Sequence, residues 1–467
     1  MRTAHASEKI VTNGIKTGKP FRFARAALLG ALVGLAFAST PADAGSKSPH
    51  SIRGPKVLIA PDTAPHFNCE LRSFTSANLF CYGPEAMRKA YDIDQLIAAG
   101  WTGAGQTIVI IDAFGSPTLQ TDMATFNALF GLPPPPSLQQ IHMPGSTPFD
   151  YTDFNQLGWA EETSLDVQWA HAIAPGANII VVAAVDNSDS AILDAQNYAI
   201  DHKLGFIISE SFGESELALL QDGAEGQQIL SDNEASYSRA ADGNITVLVS
   251  SGDDGSEGTD INGDFQTFPV ANYPASSPNV TTVGGTNLFF GTATNANPNG
   301  TYQGEVVWND GFGAGGGGYS AFFKTPPYQD SIKNKINDKV KFRSYPDVAM
   351  NAGVRGGVIV YLGFLNTAFG PGNNGFYIFG GTSASAPEWA GVIAIANQKG
   401  GGPLGFLNKN LYQLGKKGTL DTVLNDVTVG TNSLDGVPGF AAAAGYDKAT
   451  GWGTPNLGLV DALIRGK

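Results

Sequence analysis

Cysteine and charge are both scarce in this chain of 467 residues, which has two cysteines and 15% Asp, Glu, Lys and Arg. So little charge beside 42% apolar residues and 59 glycines argues against disorder and coiled coil, and predicts one compact, loop-rich α/β domain. Long apolar runs are scarce too. The marked one, Ala26 to Ala38, follows Lys16, Lys19, Arg22 and Arg25 and precedes the small-x-small site Ala42-Asp43-Ala44. Residues 1–44 therefore read as a secretory signal, with a run too short to span a bilayer. The remainder carries 22 basic against 40 acidic residues, an imbalance that argues against nucleic acid or anionic membrane as partners. In an exported chain Cys69 and Cys81 are most simply a disulfide pinning the N-terminal segment, with two free thiols as the alternative. A zinc site lacks a fourth ligand, because His66 is the only histidine near them.

What the chain does have is alternation. Continuous apolar runs at Thr107–Asp112, Asn178–Ala183, Phe206–Ser209 and Ile245–Ser250 read as buried parallel strands. Helical patterns lie between them at Leu119–Phe130, Trp159–Ile173, Ala191–His202 and Glu225–Ala241, and another opens at Tyr82 and runs toward Ile97. Residues 133–157 read as a long Pro-rich connection, and residues 45–81 as a short pro-segment or N-terminal arm without periodicity. Strand–helix alternation of this kind predicts a doubly wound parallel sheet with helices on both faces, with ligands bound at the carboxyl ends of its strands.

The β-prone Tyr377-Ile378-Phe379 turns through Gly380-Gly381 into an Ala/Gly-rich helix, with Ser383 on the corner. A serine there is fixed in place, and the unpaired N–H groups and dipole of the helix can stabilise an oxyanion beside it; Pro387 is expected in the first turn, where its missing donor costs nothing. A bare Gly-Thr-Ser would more often be a helix cap. Gly380-Gly381-Thr382-Ser383-Ala384-Ser385-Ala386-Pro387, however, resembles the nucleophile motif of the subtilisin-like clan, which includes the subtilases and the sedolisins.

None of the six histidines is followed by glycine, so the histidine corner of a subtilase is missing. In its place Glu162 and Asp166 stand at i,i+4 on an otherwise apolar helix, where one carboxyl can accept a proton while the other holds it in position. Glu161 is out of phase with this pair. With Ala174-Pro175-Gly176-Ala177 following, the segment is similar to the sedolisin acid helix. The resemblance implies Glu162 as general base to Ser383, Asp166 as its orienting partner and His171 as structural. It also places Asp253, the first residue after Ser251-Gly252, where a protonated carboxyl donates to the oxyanion, with Asp254 shaping the loop. Asp112 stands where some members carry a glutamate that extends the carboxyl network.

Near the end, Asp426 and Asp447 in glycine-rich turns offer the all-oxygen shell that Ca²⁺ takes. The resemblance implies one ion held by the side chains of Asp426 and Asp447 and the carbonyls of Val427, Ala443 and Gly445. It covers about residues 82–465 and implies an exported, monomeric, acid-acting serine-carboxyl endopeptidase on a single domain, 82–467, cutting proteins or peptides. A histidine-dependent subtilase and a non-catalytic binding protein on the same fold are the alternatives.

Overall fold

In the computed structural model the apolar run at 107–112 is the strand Thr107–Ala113, whose residues Ile108 to Ile111 have no exposed surface. The structure describes residues 47–57, 67, 69–70, 79–290, 302–332, 341–418 and 422–467; the secretory signal read at 1–44 lies outside them. Because alternate strand residues face opposite sides, Ile108 and Ile110 join one core and Val109 and Ile111 another. The first core takes in the helices Phe154–Ile173 and Thr382–Gly400, and the second Asp189–Asp201 and Ala224–Asp242. Helices thus cover both faces of the central sheet, as a strand apolar on both sides demands.

Across that sheet the order is Tyr302–Val307, Thr281–Phe290, Thr246–Ser250, Ile207–Glu210, Thr107–Ala113, Asn178–Ala184 and Leu138–His142, and Val348–Asn351 also pairs with Thr281–Phe290. All these pairings are parallel except that of Tyr302–Val307, which closes one edge antiparallel, so the sheet is mixed rather than purely parallel.

Three local readings need correction. The helix opening at residue 82 is two helices, Pro84–Ala90 and Ile93–Ala98, interrupted at Asp92 in the left-handed region at φ 58°. Residues 133–157 contain the strand Leu138–His142, and the following helix starts at Phe154 rather than 159. Leu-Gln-Gln-Ile-His is an edge strand with no fully buried residue, so it lacks the apolar run that marks a central one. Pro387 is the sixth residue of its helix, which starts at Thr382, so the Ser383 carbonyl loses its helical partner.

A second, four-stranded sheet has the order Ile52–Val57, Gly375–Gly380, Gly357–Leu362, Cys81–Tyr82. Cys69 and Cys81 are disulfide-bonded, which pins the arm beside the last of these strands. Among the described residues no helix is long and apolar enough to cross a membrane.

Candidate active site

Polar residues gather where the central strands end. Asp112 lies near the end of Thr107–Ala113, Ser211 follows Ile207–Glu210, and Ser251 to Asp253 follow Thr246–Ser250. The helix Phe154–Ile173 crosses this edge with Glu162, Asp166 and nearly all its later residues buried, so the pair does not sit on a solvated face. Asp153 caps this helix, accepting the Asn155 N–H at 2.8 Å. Ser383 is completely buried at the start of the helix Thr382–Gly400.

That start has no side-chain cap of its own. Gly381 takes φ 109°, a conformation open to glycine, and turns the first two N–H groups outward. The Thr382 N–H and Oγ1 both donate to Asp253 Oδ1, at 2.8 and 3.0 Å. The Ser383 N–H donates to the carbonyl of His50 at 3.0 Å. Asp253 Oδ2 is buried with no hydrogen-bond partner. A Cβ on Gly381 would stand 2.3 Å from the His50 carbonyl oxygen and 2.5 Å from Asp253 Oδ2, so both oxygens face one point. With Oδ1 already accepting twice, a proton on this carboxyl belongs on Oδ2. Burial, and then the nearby Asp254 and Glu162 charges, push Asp253 well above the usual carboxylate range against the donors from Thr382.

Asp112, Glu162 and Asp166 form one carboxyl cluster. Burial pushes Glu162 up, with Asp112 adding to it, while Ser383, Ser51 and Asp166 pull it back. Asp166 is raised by burial and then by Asp112 and Glu162, and Asp112 chiefly by burial. Ser383, Ser51 and Asp166 thus lie close enough to act on Glu162, yet neither of its oxygens has a partner at hydrogen-bond geometry. The Ser383 hydroxyl instead donates to the Ser211 carbonyl at 3.2 Å.

The segment Lys47–Val57 runs through the site. Ser48–Pro49 pairs antiparallel with Phe212–Ser215, the His50 N–H donates to the Ser211 carbonyl at 3.0 Å, and Ile52–Val57 pairs antiparallel with Gly375–Gly380. The His50 ring lies beside Ser250 Oγ, 2.8 Å from Nδ1, and a Cβ on Gly213 would strike it. On the far side Arg53 pairs with Glu161 at 3.0 Å, which gives the out-of-phase carboxyl a role in holding this segment. The sequence reading missed His50, Ser51, Ser211 and Thr382 as site residues. Their places depend on strand neighbours, which the local sequence does not show.

Among the described residues no histidine ring is hydrogen-bonded to Ser383. His50 faces Ser250, and burial lowers it to about 3. His171 is buried with Nε2 2.8 Å from the Pro133 carbonyl, and burial lowers it to about 4. Of the expected calcium ligands, the C-terminal loop brings Asp426 and Asp447 onto one segment. Asp426 Oδ2 accepts the Gly445 N–H at 2.8 Å and Asp447 Oδ2 the Ala443 N–H at 2.9 Å, so both carboxylates turn onto residues 443–447. Among the described residues no three His, Cys, Asp or Glu side chains gather as a metal cluster, so an ion here would depend on backbone carbonyls, a donor set that suits calcium.

The model of the Subtilase family matches residues 158–413, a span that holds Glu162, Asp166, Asp253 and Ser383. Kumamolisin of Bacillus sp. (strain MN-32) is 33% identical over 421 residues, covering 86% of this chain and 69% of its own length. Sedolisin of Pseudomonas sp. (strain 101) is 31% identical over 378 residues, 78% of this chain and 58% of that one. A solved Pseudomonas sedolisin, complexed with two molecules of pseudo-iodotyrostatin, superposes with a TM-score of 0.67 at 28% identity, covering 83% of this chain and 99% of its own. Likeness of this extent, in sequence as well as in backbone, goes beyond a shared fold: the chain belongs to the sedolisin family, the serine-carboxyl peptidases of the subtilisin-like clan.

Proposed function

We propose that the protein is an exported, acid-acting serine-carboxyl endopeptidase. Ser383 Oγ attacks the carbonyl carbon of a peptide bond, and Glu162 takes the hydroxyl proton and returns it to the leaving amine. Asp166 orients Glu162, while the Ser383 N–H and protonated Asp253 hold the oxyanion. Water then hydrolyses the acyl-enzyme by the same route. The observation that carries this reading is the backbone carbonyl of His50 accepting the Ser383 N–H at 3.0 Å beside the unpartnered Oδ2 of Asp253. A peptide group sits where a scissile carbonyl belongs. Paired strands lie on both sides of it, Ser48–Pro49 before and Ile52–Val57 after, which supports cutting within a chain rather than near an end.

Export rests on the leader-like residues 1–44 and is supported by the Cys69–Cys81 disulfide, since such bonds persist in oxidising compartments. Calcium would be held by Asp426, Asp447 and the carbonyls of Val427, Ala443 and Gly445, where it stiffens the C-terminal loop. Proteins or peptides are the substrates, and the working unit is a monomer. The test is turnover of an acid-denatured protein. Ser383→Ala and Glu162→Gln should each remove nearly all activity, since groups acting as one unit lose most of their effect singly, while circular dichroism remains that of the parent. Substantial turnover by either folded variant would sink the assignment.

A further inference from the structure

The segment lying through the cleft fixes a register that residues alone could not give. With the His50 carbonyl on the Ser383 N–H, the bond presented to Ser383 Oγ is His50–Ser51, and Lys47 is the fourth residue counted back from it, with His50 as the first. Lys47 has no exposed surface. Its Nζ lies 2.6 Å from Asp189 Oδ1 and 2.7 Å from Glu214 Oε1, and 5.5 Å from the centre of the Tyr273 ring. Asn187 brackets its backbone: the Lys47 N–H donates to the Asn187 carbonyl at 2.8 Å, and Asn187 Nδ2 donates to the Lys47 carbonyl at 2.9 Å. Asp189 sits in the first turn of the helix Asp189–Asp201 and Glu214 on the strand Phe212–Ser215, so two fixed elements make the pocket.

We propose that this pocket is a specificity subsite for a basic side chain at the fourth position before the cleaved bond, with Asp189 and Glu214 as its specificity-determining residues and the chain's own Lys47 as its resident occupant. The inference rests on the reading of Ser383 as a peptidase nucleophile. Two nearly buried carboxyls facing one point are costly without a cation between them, so an uncharged residue of the same length leaves that cost uncompensated. Burial works against the Lys47 charge, but Glu214 and Asp189 more than offset it and hold its ammonium above the usual lysine range. Burial also opposes ionisation of Asp189, but Lys47 outweighs it and keeps Asp189 below its ordinary value, whereas Glu214 is pushed up to about 8. One carboxylate therefore remains charged in acid. That is the pH range in which the proposed chemistry runs.

At the proposed bond Ser383 Oγ bonds to the carbonyl carbon, the C–N bond to the following residue breaks, and the Ser383 proton passes through Glu162 to the departing amine. Water then splits the ester, leaving a free carboxyl on one product and restoring Ser383. The test compares two internally quenched peptides, Lys-Ser-Pro-His-Ser-Ile-Arg and the same peptide with norleucine first, at acid pH. The parent should cleave the lysine peptide with kcat/KM at least about tenfold higher, the scale expected when a buried charge is left unpaired. Product masses should place the cut between His and Ser. Asp189→Asn with Glu214→Gln should bring the ratio to within about twofold by lowering kcat/KM for the lysine peptide, a selective change that a general structural loss, acting on both peptides alike, would not give. Should that variant fail to fold, the parent's ratio decides alone. Equal turnover of both peptides, or turnover of acid-denatured protein with neither peptide cut, overturns the subsite and leaves the peptidase reading standing. Turnover of none of the three overturns both.

Discussion

Asp253 and Glu162 are asked to hold opposite protonation states: one must donate to the oxyanion and the other must accept a proton. The placement of Asp253 resolves half of this, because its Oδ1 takes the two Thr382 donors and leaves Oδ2 for a proton aimed at the carbonyl. Glu162 is raised first by burial and next by Asp112, so the cluster releases protons in shared steps rather than residue by residue. The expected profile of kcat/KM is a bell in acid, falling on the low side as the cluster protonates and on the high side as Asp253 ionises. Asp253→Asn keeps a donor that does not titrate, so its residual activity should reach further toward neutral pH than the parent's. Asp112→Asn removes the neighbouring carboxyl that raises Glu162 and Asp166, so its low-pH limb should move to lower pH. If both variants gave profiles that superimpose on the parent's, Asp253 would not be the oxyanion donor and Asp112 would not tune the base. The sequence tied Asp112 to the carboxyl network only through resemblance, because a strand end shows a position but not what packs against it.

Two helices carry Ser383 and Glu162, and they meet at a glycine. A Cβ on Gly391 would lie 2.6 Å from Ile173 Cβ and 2.7 Å from its Cγ2, so the helix Thr382–Gly400 rests on the acid helix with no space for a methyl group. Gly391→Ala should cost about 1–3 kcal/mol by overpacking and lower kcat more than it raises KM, since it pushes Ser383 and Glu162 apart; an unchanged melting temperature and kcat would contradict this contact. The Ala/Gly-rich pattern after Ser383 made such close packing readable, just as i,i+4 spacing put Glu162 and Asp166 on one face. Central strands were readable because both their faces are apolar. Leu138–His142, Ser48–Pro49 and Ile52–Val57 were not, since edge strands carry mixed residues and exist through their pairing partners. The C-terminal loop is the other element open to test. If calcium binds there, a chelator should lower the melting temperature, because an ion at a hundredfold excess over its Kd contributes about 2.7 kcal/mol. Asp447→Ala should abolish that response, and a parent freed of metal that melts unchanged would count against the site.

At the scale of the whole molecule, the number of carboxyls pushed upward makes folding itself depend on acid. Burial raises Asp122 to about 6 and Glu161, Glu210 and Glu234 to about 7, besides the site's own Asp112, Glu162, Asp166 and Asp253. A carboxyl whose folded value is raised keeps its proton after the unfolded chain has lost it. Its contribution is complete below the unfolded value, near 4, and is lost as pH rises through the folded one. His50 and His171 work in the opposite sense: lowered to about 3 and about 4, they withhold stability as pH falls below 6.5. Two histidines are outnumbered by the raised carboxyls, so between about pH 4.5 and 8 the folded state holds the excess of protons, each worth about 1.4 kcal/mol per pH unit. The melting temperature of Ser383→Ala, used so that self-digestion does not intervene, should therefore fall steadily from about pH 4.5 to 8. Replacing Glu210 by Gln should flatten that slope, since an amide in a site that favours the neutral form has no proton to lose. A melting temperature that rises across this window would mean that the buried carboxyls are ionised in the folded protein, and would remove the physical basis for the proposed acid action.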